Sequence, residues 1–336
     1  MNHRSIHTPI AASIAMLVLI LDSPTALSGA KNGIEICLQS VIPSLFPFFV
    51  LSILLTSGLT GQRSPIIRPL SFFTGIPQGS ESIFLTGLLG GYPVGAQAVG
   101  SAYRMGVLTD TEAARMIVFC NNAGPAFIFG MTAALMPSSR YAWLLWLIQI
   151  LSALLTALIL PGKTNRQITL APSTPPTIPQ ALSGAIRIMA SVCGWVVLFR
   201  ILLAFSMRWF FWMLPVWLQA LLTVLLQLAN GCFALSSVEI CGLRFLLCAV
   251  MLSFGGLCVW LQTLSVAGKV NMRHYLPGKL LQSCITTMLA LFCQSLFPIG
   301  SRLEIPMSVP FILAAIFALF LSLGQKSSSI PAKAGV

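Results

Sequence analysis

The chain has 336 residues, 57% of them hydrophobic and only 8% charged, which leaves too few polar side chains to clothe a soluble globule of that size. Its 19 Lys and Arg against 7 acids give a formal charge of +12, with the bases placed mostly between apolar segments. That placement is read as topogenic contact with anionic lipid headgroups, and no nucleic-acid partner is expected.

The predicted fold is all-α and polytopic, with about ten apolar segments at roughly 8–28, 34–58, 80–103, 112–135, 140–161, 181–206, 209–229, 243–266, 278–297 and 306–324. They divide into a first transmembrane half (1–161), a Pro-rich linker (162–180), a second transmembrane half (181–324) and a polar tail (325–336). Arg4 ahead of the first apolar run also fits a signal peptide, but a retained first span suits the segment count better. The nine cysteines stand singly in apolar sequence, and with only three histidines they indicate neither a metal cage nor a disulfide framework. They read as packing residues, and no cofactor is expected.

In the second segment Pro43 and Pro47, within VIPSLFPFFVLS, predict a kink with freed carbonyls. Residues 59–80 read as a loop or interfacial stretch. The third segment carries Gly87, Gly91 and Gly95 at four-residue spacing, a small-residue stripe against which another helix can pack closely. Gln97 lies near that stripe, and Pro93 removes a backbone donor inside the segment. Thr109 and Glu112 form a predicted capping box that starts the fourth segment. The run Asn121, Asn122, Ala123, Gly124, Pro125 then breaks that segment in its middle. Two adjacent broken spans predict a polar pocket at membrane depth.

Tyr141, Trp143 and Trp146 form an interfacial belt on the fifth segment, and Pro172, Pro175, Pro176 and Pro179 keep the linker extended. Arg187 and Arg200 fall in or near the sixth segment, where two readings stand: snorkelling to opposite interfaces, or one of them lining an anion path. Trp209, Trp212 and Trp217 form a second belt. A polar interruption follows at Ala229, Asn230 and Gly231, and Glu239 is read as a cap or a partner of Arg244. Arg104, Arg115 and Lys279 are placed among the bases at span ends, with Arg104 and Arg115 also candidates for drawing anions to a pocket mouth.

The eighth segment repeats the third. Gly255, Gly256, Val259 and Gln262 in SFGGLCVWLQTLS fall on Gly90, Gly91, Val94 and Gln97 at a constant offset of 165 residues. Five spans apart means opposite orientation, so the pattern predicts a 5+5 inverted repeat with broken or re-entrant helices beside one midplane site. The second copy has no proline at the Pro93 position, and the Asn pair has no aligned counterpart, although Asn230 and Gly231 are placed to stand in for it.

The same motifs carry a family resemblance. VIPSLFPFFVLS at 41–52, GGYPVGAQ at 90–97, GVLTDTEA at 106–113, FCNNAGP at 119–125 and SFGGLCVWLQ at 253–262 resemble the YlbJ/SpoVV-type sporulation integral membrane proteins of the nucleoside-recognition (Gate) domain superfamily. Gly90 stands where such proteins often have Ser, and Gln97 where they often have Lys. The resemblance implies a multi-pass protein of the outer forespore membrane that moves dipicolinic acid, a small planar dianion, during sporulation. The expected activity is therefore transport of a small organic anion, not enzyme chemistry. The substrate site is expected at Gly90, Gly91, Tyr92, Pro93, Gln97, Asn121, Asn122, Gly124, Pro125, Gly255, Gly256 and Gln262. In this scheme the Gly and Pro residues open the backbone and the amides bond the substrate. Expected partners are the anion, membrane lipid and a second copy or other sporulation membrane proteins. Glu35 and Glu239 are the natural protonation candidates. A non-transporting membrane scaffold, whose glycine stripes bind partner helices, and a nucleoside-type transporter are the alternatives.

Overall fold

The computed structural model describes residues 7–59, 68–168, 176–236 and 238–297, which are helical apart from loops and one isolated pairing of Gln78 with Gln167. The tenth apolar segment, the polar tail and residues 169–175 of the linker lie outside the described residues. Five helical stretches among the described residues are long and apolar enough to cross a bilayer: Ser23–Leu55, Ser139–Ile159, Ile178–Trp209, Cys241–Ala267 and Tyr275–Leu296. They carry large apolar side chains on their outer faces, including Leu51, Ile186, Leu202 and Phe292, which only lipid would cover favourably. The protein is thus a helical multi-pass membrane protein. Of the about ten apolar segments expected, the described residues give five stretches of spanning length, accompanied by shorter and broken helices.

The first segment divides. Helix α1 (His7–Leu21) ends at Asp22, and α2 (Ser23–Ile36) begins afresh with Pro24 in its first turn, a position where the missing N–H costs nothing. Asp22 is held there by Arg208 at 2.9 Å. After α2 comes a π turn, Cys37–Val41, and then α3 (Ile42–Leu59), which contains Pro47. Pro43 and Pro47 cannot donate to carbonyls four residues back, and the wider turn just upstream accommodates this without stopping the helix.

A short α4 (Arg68–Thr74) precedes the broken pair α5 (Glu81–Gly90) and α6 (Val94–Arg104). Helix α7 (Asp110–Phe119) starts with the predicted capping box: the Thr109 hydroxyl accepts from the Glu112 amide, and the Glu112 carboxylate accepts from the Thr109 amide at 2.9 Å. Burial works against ionisation of Glu112, but Arg166 and the Thr109 groups hold its carboxyl below the usual range. Beyond the Asn pair lie α8 (Pro125–Phe127) and a second π turn, Ile128–Thr132. Helix α9 (Ser139–Ile159) is an ordinary span, and α10 (Ile178–Trp209) has 32 residues, about 48 Å, longer than the hydrocarbon core. Helix α10 starts inside the expected linker, with Pro179 in its first turn and Thr177 and Gln180 as a capping box. Pro179 therefore opens a helix instead of keeping an extended chain.

The second half continues with α11 (Val216–Leu226), α12 (Leu228–Leu235), the broken pair α13 (Cys241–Phe254) and α14 (Gly256–Ala267), and α15 (Tyr275–Leu296). Helices α2 and α10 cross closely because α2 offers glycines. A Cβ on Gly29 would lie 2.9 Å from the Ile201 Cα, and one on Gly33 2.9 Å from the Val197 Cα.

Three charge assignments change. Arg115 is buried, and its guanidinium donates to the carbonyls of Thr74 at 2.6 Å and Gly75 at 3.0 Å at the end of α4 and to those of Ala157 and Leu160 at the end of α9. It caps two helix C-termini, whose free carbonyls attract a cation, and does not stand at a pocket mouth. Arg244 donates to the carbonyls of Val238 and Leu135 at 2.7 and 2.9 Å, and forms no ion pair with Glu239 among the described residues. Lys279 is not a loop-end base: only 2% of it is exposed.

Candidate functional site

The two broken helices open at equivalent glycines. Gly91, between α5 and α6, has φ of 70°, and the Tyr92–Pro93 peptide that follows is cis. Gly255 and Gly256, between α13 and α14, have φ of 80° and 76°. These conformations need glycine, because a Cβ would meet the neighbouring carbonyl. The breaks converge on one small cavity of about 40 Å³, to which the first contributes Gly90, Gly91 and Tyr92 and the second Cys258, Val259 and Gln262. Gly124 closes it from the third break, and Gln227, the residue between α11 and α12, from a fourth.

The small-residue stripe has a specific partner. A Cβ on Gly87 or on Gly95 would lie 1.8 Å from the Cys120 carbonyl oxygen, and one on Gly91 would lie 2.6 Å from the Gly124 nitrogen. All three glycines receive the segment that leads from α7 to α8, so the stripe seats a broken backbone instead of a regular helix. Pro125 opens α8 as a buried first-turn residue.

Behind the cavity lies a polar cluster built on Asn121 and Asn122, both fully buried. Asn121 Nδ2 donates to Thr263 Oγ1 at 2.7 Å and to the Tyr275 hydroxyl at 2.9 Å. The Lys279 ammonium donates to the Asn121 carbonyl, to Gln282 Oε1 at 2.9 Å and to Asn122 Oδ1 at 3.4 Å, and it sits 6.0 Å from the centre of the Tyr275 ring. Gln282 Nε2 donates to Asn122 Oδ1 at 2.8 Å and reaches Ser152 at 3.4 Å. The Asn pair therefore joins α7 to α14, α15 and α9. Its broken backbone is neutralised by a lysine with no acid beside it among the described residues. Such an ammonium fits the carbonyls freed where a helix stops.

Of the expected site residues, Gly90, Gly91, Tyr92, Gly124 and Gln262 line the cavity, and Pro93, Pro125, Gly255 and Gly256 form the breaks around it. Asn121 and Asn122 belong to the cluster behind. Gln97 is exposed on α6 and lines neither. The interruption expected at Ala229, Asn230 and Gly231 falls at Gln227, whose side chain caps α12 by accepting from the Asn230 amide. Gln227 and Lys279 were missed. The signal for Lys279 was a lysine at the start of an apolar segment with Gln282 and Ser283 one turn on, which sequence reads equally well as a snorkelling base.

No family model matches the chain, and no solved structure matches it. Over 141 residues it is 30% identical to the sporulation integral membrane protein YlbJ of Bacillus subtilis (strain 168), a match that covers 40% of this chain and 34% of that protein. The matched stretch thus spans about a third of the curated relative's length. On that stretch the chain is a homologue of the YlbJ-type sporulation integral membrane proteins.

Proposed function

We propose that the protein is a transporter of a small organic anion, with dipicolinate the substrate that the family resemblance favours and the outer forespore membrane the corresponding location. The observation that carries the reading is the meeting of two broken helices at one cavity, Gly90–Tyr92 on one side and Cys258–Gln262 on the other. Unwound backbone inside a membrane protein is tolerated where it lines a cavity or is buried in protein, and transporters place substrate at such breaks. With about 40 Å³ the space takes a few waters, so an organic acid enters only when the breaks move apart.

An inverted repeat accounts for the pairing. Helix α7 begins at Asp110 and α15 at Tyr275, again 165 residues on, and the break at Gly90 recurs at Gly255. Equivalent helices pack on each other: Gly33 of α2 on Val197 of α10, Gly100 of α6 on Ala267 of α14, and Val118 of α7 on Gly278 of α15. Gly29 meets Ile201 while Gly33 meets Val197, so the first pair runs antiparallel, as a two-fold axis in the membrane plane requires.

Purified protein in vesicles tests the proposal. Saturable uptake of dipicolinate, compared with a nucleoside and a simple dicarboxylate, is the expected result. A membrane scaffold would move none of them, and preferential nucleoside uptake would replace the anion with the other substrate class.

A further inference from the structure

A second, more open chamber of about 560 Å³ adjoins the small cavity and is lined by Asn32, Glu35, Gln39, Arg200, Gln219 and Asn230, among others. The two spaces share their walls. Ser40 faces the chamber and Val41 the cavity, Ala229 faces the cavity and Asn230 the chamber, and on α10 Val196 and Arg200 divide the same way, one turn apart. The chamber is large enough for a small organic acid.

Arg200 lies nine residues before the end of α10 at Trp209, about 13 Å along the axis, inside apolar sequence. Its guanidinium meets no acid among the described residues. It makes one hydrogen bond there, from Nη1 to Asn230 Oδ1 at 3.5 Å, and its Nε is buried without an acceptor. Asn230 is 3% exposed, and its Nδ2 is likewise buried without an acceptor. Two buried donors without acceptors, on residues that line a roomy chamber, are costly unless something accepts from them. The facing acid, Glu35, is already engaged by Gln39 at 3.0 Å and does not reach Arg200.

We infer that Arg200 and Asn230 form a carboxylate-recognition site at the mouth of the cavity, the guanidinium edge and the amide binding one carboxylate of the anion, with Glu35 opposing the negative charge from across the chamber. A planar guanidinium matches a carboxylate with two hydrogen bonds, which a lysine at the same position does not reproduce. The inference rests on the transport reading and locates where its substrate is first held.

The test measures binding of dipicolinate and of its neutral dicarboxamide to purified full-length protein in detergent, together with vesicle uptake. Loss of a charge-assisted bond predicts about 10- to 100-fold weaker dipicolinate binding in Arg200→Gln. Arg200→Lys should recover part of that loss, and Glu35→Gln should tighten dipicolinate severalfold. The dicarboxamide should bind wild type and Arg200→Gln alike. Asn230→Asp supplies an internal partner for Arg200 with little change of volume, so it should also lose dipicolinate binding and decides the matter if Arg200→Gln does not fold. Wild-type affinity in both Arg200→Gln and Asn230→Asp, with uptake by wild type intact, overturns this site while the transport reading stands. A wild-type protein that neither binds nor takes up dipicolinate overturns both.

Discussion

Gly91 and Gly124 meet backbone to backbone: a Cβ on the first would lie 2.6 Å from the amide nitrogen of the second, and a Cβ on the second 2.9 Å from the Cα of the first. The contact joins the break between α5 and α6 to the break between α7 and α8, so that both open on the same cavity. Neither glycine can gain a methyl group without moving one break off the other.

Gly91→Ala should therefore destabilise the protein by about 2 to 4 kcal/mol, combining left-handed strain with overpacking against backbone. Gly106 is the control, because it has a comparable φ of 71° and nothing within 4 Å of its Cβ position. Gly106→Ala should cost only the strain, about 1 kcal/mol. Thermal unfolding of both variants in one detergent checks the difference, and equal losses would remove the packing argument.

Replacing Lys279 by Met keeps the bulk of the side chain, leaves the Asn121 carbonyl and Gln282 Oε1 without the ammonium donor, and leaves Asn122 Oδ1 with Gln282 Nε2 alone. An unfolding loss of about 1 to 3 kcal/mol is expected. Protease susceptibility near the α7–α8 break should rise in parallel. A variant as stable and as resistant as wild type would show that the ammonium does not hold the break.

Arg115→Gln removes four carbonyl contacts at two helix ends, so the expected loss is in stability, about 2 to 4 kcal/mol. Uptake per folded molecule should stay unchanged. A selective loss of anion uptake with unaltered unfolding would return Arg115 to the pocket mouth, the second of the two places that sequence left open for it.

The Glu112 carboxyl is held below its ordinary range, so its ionised form favours the fold. The contribution is fully present above the ordinary carboxylate pKa and is lost as pH falls through the lowered folded value. With Arg166 well exposed the gain is small, about 1 kcal/mol or less. Unfolding temperatures measured between about pH 6 and pH 3 should fall more in wild type than in Glu112→Gln; parallel curves would assign the acid sensitivity elsewhere.

Much of the fold was legible in the chain. Apolar content required a membrane, the Thr109–Glu112 spacing gave a helix start, and the glycines and prolines marked three of the breaks, because these signals are local and act on the backbone within one turn. The offset of 165 residues came from sequence as well. Burial of individual charges could not be read this way. Lys279, Arg115 and Arg200 are all bases at or inside the edges of apolar segments, yet one neutralises a broken helix, one caps two C-termini and one faces an open chamber. A long basic side chain reaches water from many positions, so its sequence context leaves its partner undetermined. Only the packing of α15 on α7, of α4 and α9 around Arg115, and of α10 on α12 decides what each cation meets.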